Sequence, residues 1–236
     1  MKIKKQLNRY LYLDTIRKTI QNFFRYNITY TNPRKYGYLG QNVILEPAKS
    51  IVDFKNLYFY DSVKVRSGLK VIGVTGKFIV KKYSAIAFNL TVITGNHKPT
   101  VGIPHIILGG SHINDKEKDI IIEEEVWVGA NCTLLSGAHL ERGCIIGACS
   151  MVNKKIPPYA VAVGSPVKII AAVFTVEEIL KHEERIYPKE ERFSKEYLEN
   201  IFAEYYENKK TIGVDHMEPD DYIKEELTKK RMNIKY

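Results

Sequence analysis

A period of six runs through the middle of this chain and constrains its fold more than any other feature. Cut in sixes from Ile122, the sequence reads IEEEVW, VGANCT, LLSGAH, LERGCI, IGACSM and VNKKIP. The first residues of these blocks (Ile122, Val128, Leu134, Leu140, Ile146 and Val152) are all aliphatic. The fifth residues of the first five (Val126, Cys132, Ala138, Cys144 and Ser150) are small or modest in size. The grid continues upstream as VTGKFI, VKKYSA, IAFNLT and VITGNH, starting at Val74, Val80, Ile86 and Val92. A third stretch starts at Leu39, Leu45, Ile51, Leu57, Val63 and Leu69. It runs one residue out of step, with Lys49, Lys55 and Asp61 in its fifth column. Six matches neither the 3.6-residue helical period nor hairpin strands with regular polar turns. It matches a solenoid of very short strands, with one flat side per hexad and three sides per coil. The first-column aliphatic points inward, and Gly129 and Gly147 just after it permit tight backbone approach. One hexad cannot bury its aliphatic residue alone, so the coils must stack.

The chain ends behave differently. Residues 1–38 hold nine Lys/Arg and one acid, Asp14, and so carry +8 of the +9 net charge; the other 198 residues are nearly neutral. A nucleic-acid-binding fold spreads Lys and Arg over its surface, and this distribution excludes that class. Leu7, Leu11, Ile16, Ile20, Phe23 and Phe24 lie at helical spacing and predict a basic amphipathic helix within residues 3–26. That helix caps the first coil or, in a second reading, makes peripheral contact through residues 1–26 with the anionic inner face of a membrane. No run approaches 18 apolar residues, so no spanning helix is expected, and the N-terminus reads as no secretory signal. Cys132, Cys144 and Cys149 are odd in number and fall mostly at inward positions, which suits free thiols in the cytoplasm. After the repeat, Thr175 and Glu178 form a capping-box pattern. Helices are expected at about 175–185, 194–207 and 219–231, with Leu198, Ile201, Phe202 and Tyr205 packing on the solenoid or a neighbouring subunit. The expected organisation is a basic helical segment over 1–38, a solenoid over 39–173 and a helical extension over 174–236.

Between Lys98 and Asp119 the hexads stop. A long irregular segment at one corner of a regular solenoid is usually functional. His97 sits just before it, sixth in VITGNH and therefore outward, as is Trp127, sixth in IEEEVW. His105 and His112 lie inside the loop, and His139 is another outward sixth residue. Ordinary surface roles are expected for these last three.

The stretch from Ile120 to Ile170 resembles the hexapeptide-repeat acyltransferases, in particular the galactoside, maltose and polysaccharide O-acetyltransferases. The Trp-Gly hexad VWVGANC and the closing IGACSMVNKKIPPYAVAVGSPVK carry the resemblance, which covers roughly residues 74–173. It implies an all-β solenoid, a left-handed parallel β-helix, assembled as a homotrimer with acetyl-CoA held between subunits and no metal. The implied reaction is acetyl transfer to a sugar hydroxyl in cell-surface polysaccharide biosynthesis. TGNHKP falls where such enzymes carry their catalytic histidine, so His97 would be the general base, with Asn96 where relatives have glycine. A near-neutral pKa suits an imidazole to that task. The resemblance further places Trp127 near the thioester, the Ala130 N–H on its carbonyl oxygen, and Ala148 against pantetheine. Asn153 and Lys154 would lie near pantetheine and phosphates. Lys168 stands where relatives have an arginine for the 3′-phosphate end, and Ala171 where many have a further basic residue. Other readings are N-acetylation of an amino-sugar nucleotide and a non-catalytic trimeric scaffold. A zinc site of the gamma carbonic anhydrase type would use His97, His105 and His112, whose spacing does not put ligands on adjacent coils.

Overall fold

The structure is a computed structural model and describes residues 13–24, 28, 32–234 and 236. Among the described residues, seventeen strands of two to four residues, from Tyr38–Leu39 to Ala160–Val163, wind into three parallel sheets, and an eighteenth, Lys168–Ala172, closes the second sheet antiparallel. Each sheet is one face of a prism.

Three ladders of aliphatic and aromatic residues fill its interior. On the first face the in-register set is Leu39, Phe59, Val80, Ile122, Leu140 and Ile156. The second face contributes Leu45, Val65, Ile86, Val128, Ile146 and Ala162, and the third Ile51, Val71, Val92, Leu134 and Val152. All but Leu39 and Leu45 are buried. The predicted first column from Ile122 to Val152 is inward throughout, and the fifth column points into the same core. Gly129 is needed for close approach: a Cβ there would lie 2.5 Å from the backbone nitrogen of Ala148 on the next coil.

Two parts of the grid are corrected. Leu57, Val63 and Leu69 are fully buried but in fifth-column slots, because inward positions after Ile51 fall at Phe59, Val65 and Val71. Val74 is exposed rather than inward. Both errors have one cause. Passing from the third face to the first takes six residues between Leu134 and Leu140, but eight from Ile51 to Phe59, nine from Val71 to Val80 and thirty from Val92 to Ile122. Every insertion falls at the same corner, so the longer turns stack beside the long loop and shift the frame each time.

Helix α1 (Leu13–Phe24) lies within the predicted N-terminal helix, whose flanking residues fall outside the described set. Its Ile16, Ile20, Phe23 and Phe24 are largely exposed. At the first coil, Tyr36 and Phe54 lie edge-on to each other at 5.6 Å, with Tyr36 6.0 Å from Phe59. Helix α2 (His105–Ser111) lies within the long loop, anchored by buried Leu108. Beyond the coil come α3 (Val176–Ile186), capped by the predicted Thr175–Glu178 box, then α4 (Lys195–Ile201), a π turn over Phe202–Tyr206, and α5 (Pro219–Met232). Ile201, Phe202 and Tyr205 pack against the solenoid core, and the Tyr206 hydroxyl donates to Pro158 O at 2.5 Å. Buried Glu183 of α3 receives Arg142 Nη1 (3.2 Å), the Tyr159 hydroxyl (3.0 Å) and the Phe193 amide (2.6 Å). Among the described residues no helix is long and apolar enough to cross a membrane.

Candidate active site

The long loop leaves the third face after Thr91–Ile93 and returns at Ile120–Ile122 of the first. Its return is clamped by Glu117. That carboxylate accepts the amides of Val74 (2.8 Å), Thr75 (2.7 Å) and Gly76 (2.6 Å) and the Thr94 hydroxyl (3.2 Å). Partial burial pushes its pKa up, but these donors outweigh burial and hold it below the usual carboxylate range. The longer nine-residue turn on the coil before thus becomes an anion cradle for the loop, and Gly76 leaves the space: a Cβ there would lie 2.5 Å from Thr94 Cβ.

His97 is half exposed on the outer side, as its place in the hexad predicts, and its Nδ1 is 2.9 Å from Asp115 Oδ2. His112 reaches the same oxygen with its own Nδ1 at 3.0 Å, and the two rings lie 5.4 Å apart. Asp115 is mostly buried. Desolvation raises its pKa, while the hydrogen bonds from His112 and His97 pull it down further, leaving it below the ordinary aspartate value. An ionised Asp115 accepts Nδ1–H from His97 and so selects the tautomer whose Nε2 is a free base. The backbone turns left-handed at His112 (φ 53°) and Asn114 (φ 59°), and Asn114 Nδ2 donates to Thr100 Oγ1 at 3.2 Å across the loop.

The other candidates are spread over the prism. Trp127 stands outward on the second face with 58% of its surface exposed, paired with Ala85 and Ile145. Ala130 and Ala148 occupy the corner between the second and third faces on successive coils, where the Cys149 amide donates to Ala130 O at 2.8 Å. The Gly129 amide bonds Ile146 O and the Asn131 amide bonds Phe88 O; among the described residues the Ala130 amide between them has no acceptor. Asn153 and Lys154 are exposed after the Met151–Val152 strand, and Lys168 is exposed on the antiparallel strand opposite Val163. Within one chain His97 and Trp127 are therefore on different sides of the prism, and no single copy brings them together.

Sequence reasoning missed Asp115 and Glu117 and gave His112 an ordinary surface role. The three histidines of the carbonic-anhydrase-type alternative, which their spacing argued against, do not converge: His97 and His112 meet, while His105 lies exposed at the start of α2. His139 does have the expected structural role, its Nε2 2.7 Å from Glu123 Oε1.

A family model, the bacterial transferase hexapeptide (six repeats), matches residues 119–154. That match falls on the part of the chain where the six-residue period runs without insertion. The chain's coils are the left-handed parallel β-helix of the hexapeptide-repeat acetyltransferases it resembles. It is 30% identical over 135 residues to a galactoside O-acetyltransferase of Lactococcus lactis, a match covering 56% of this chain and 61% of that relative. The chain thus spans about three fifths of the length of that relative. Among solved structures, a galactoside acetyltransferase in complex with coenzyme A superposes with a TM-score of 0.53 at 18% identity, over 75% of this chain and 86% of that one. A variant of AntD, an N-acyltransferase from Bacillus cereus, in complex with dTDP and coenzyme A, gives 0.51 at 19% identity, over 67% and 95%. At these identities the structures establish likeness of fold.

Proposed function

We propose that this protein is an acetyl-CoA-dependent O-acetyltransferase acting on a sugar hydroxyl, in the building of a cell-surface polysaccharide. The observation that carries the reading is the His97–Asp115 pair at the mouth of the long interruption in the coil: an outward imidazole held as a base by a mostly buried carboxylate. In this reading His97 Nε2 takes the proton of an acceptor hydroxyl as the oxygen attacks the thioester carbonyl. The Ala130 amide donates to the developing oxyanion, and collapse of the tetrahedral intermediate releases CoA thiolate, which takes up a proton. Trp127 lies against the thioester end and Ala148 against pantetheine. Asn153, Lys154 and Lys168 hold the phosphates, with lysine acting as a point charge.

His97 and Trp127 lie on different sides of one prism, so the reading requires a trimer in which the histidine of one copy faces the indole of the next. Trp127 is then covered by the assembly, which accounts for so large an apolar side chain standing in the open on one chain. The relatives include both O- and N-transferring enzymes, so the bond formed is decided by experiment. Free-thiol release is followed with acetyl-CoA and a panel of sugars and amino sugars, and product is treated with mild base. Base-labile product from hydroxyl acceptors supports the proposal. Turnover only with amines, giving base-stable product, replaces it with N-acetylation, and absence of both CoA binding and turnover makes the protein a scaffold.

A further inference from the structure

Asp115 is engaged in a way that a base-orienting role does not exhaust. Two imidazoles converge on one of its oxygens, His97 Nδ1 at 2.9 Å and His112 Nδ1 at 3.0 Å, and the three donor atoms all lie within 4.8 Å of one another. The other carboxylate oxygen, Oδ1, is buried and, among the described residues, has no hydrogen-bond partner. Buried polar atoms are rarely left so, and each exception needs a reason. Both histidines are half exposed while Asp115 is mostly buried, so the cluster joins the protein interior to solvent.

We infer that His97 Nδ1, His112 Nδ1 and the Asp115 carboxylate form a binding site for a zinc-class divalent cation. Two imidazole nitrogens and one carboxylate suit borderline metals of this kind, whereas magnesium and calcium favour all-oxygen shells. A tetrahedral ion with bonds of about 2.0–2.1 Å needs donors a little over 3 Å apart, and the spacings present require only small side-chain adjustments. The partnerless Oδ1 gives the carboxylate a second oxygen to offer. Solvent supplies the fourth ligand. The site is built on a fixed frame: α2 anchored by Leu108, left-handed turns at His112 and Asn114, and the Glu117 clamp behind them.

The consequence rests on the functional reading above. Metal at His97 Nδ1 requires the tautomer whose single ring proton sits on Nε2, so the proton shifts from Nδ1 to Nε2 through solvent and the imidazole can donate but no longer accept. Cation occupancy and general-base catalysis exclude each other, which makes this site an inhibitory one rather than a cofactor site.

The test titrates zinc into the full-length protein against a chromophoric chelator, with cobalt(II) absorption as a second readout of ligand geometry. Wild type is expected to bind one zinc per chain with micromolar or tighter affinity, and His112→Ala and Asp115→Asn each to weaken binding by at least about tenfold. His139→Ala, a surface histidine away from the cluster, should leave binding unchanged. Thermal melts establish that each variant is folded. Wild-type binding no tighter than about millimolar, or binding that folded His112→Ala and Asp115→Asn both retain in full, overturns the site. On activity, added zinc should suppress transfer and EDTA restore it. Zinc binding with the expected substitution pattern in a protein that transfers no acetyl group supports the site and defeats the functional reading. The same pattern with transfer untouched by zinc overturns the exclusion.

Discussion

The residue that carries most of this account is His97, and its chemistry depends on Asp115, eighteen positions away. Removing the imidazole removes the base: His97→Ala should lower kcat by about 10²–10⁴-fold with CoA affinity kept, read by free-thiol release beside a CoA-binding titration. Asp115→Asn should lower kcat in the same direction but by less, because the imidazole remains and only its tautomer is released. Glu117 offers a test of the loop independent of catalysis. Its pKa is depressed in the folded protein, so its contribution is complete above the unfolded value of 4.5 and disappears as pH falls through the lower folded value. Glu117→Gln should cost about 1 kcal/mol at pH 7, and melting curves of wild type and variant should converge when both are taken well below pH 4.5. His97 and Trp127 were legible because outward sixth positions follow from the period alone. Asp115, His112 and Glu117 were not, because the loop has no period and their partnerships form only when a thirty-residue excursion returns to the coil.

At the scale of elements, the period revealed the strands and hid the turns. Each hexad between Ile122 and Val152 repeats without insertion, so both buried columns could be read directly. Upstream, Leu57, Val63 and Leu69 are as aliphatic as true first-column residues and buried as deeply, and nothing in their chemistry distinguishes an inward fifth position from an inward first. Only the extra residues at one corner do so, and those residues shape the Glu117 cradle. The amphipathic spacing of the N-terminal segment was read from the sequence, and its Leu13–Phe24 part is helical; the rest of that segment, which bears on whether it caps the coil, lies outside the described residues. The C-terminal helices do pack on the solenoid, and their strongest tie is electrostatic. Arg142, at the corner between the first and second faces, meets buried Glu183, and Arg142→Ala strands that carboxylate without its charge partner. Loss of about 3 kcal/mol is expected from chemical denaturation, with acetyl transfer unchanged per folded molecule.

For the whole molecule, the decisive fact is that a three-sided coil separates what the chemistry needs together. His97 leaves one corner, Trp127 stands on another face, and Ala130 with Ala148 lines the corner between the second and third. In the proposed reaction a complete site exists only where one copy meets the next, each contributing what the other lacks. The test is to mix two defective chains. His97→Ala lacks the base, and Ala148→Trp blocks the groove with a bulky side chain at an exposed position. Each alone should be inactive, and equal amounts unfolded and refolded together should recover about a quarter of wild-type turnover, because that fraction of contacts joins an intact histidine to an open groove. A mixture no more active than either parent would place the whole site within one copy and contradict this account.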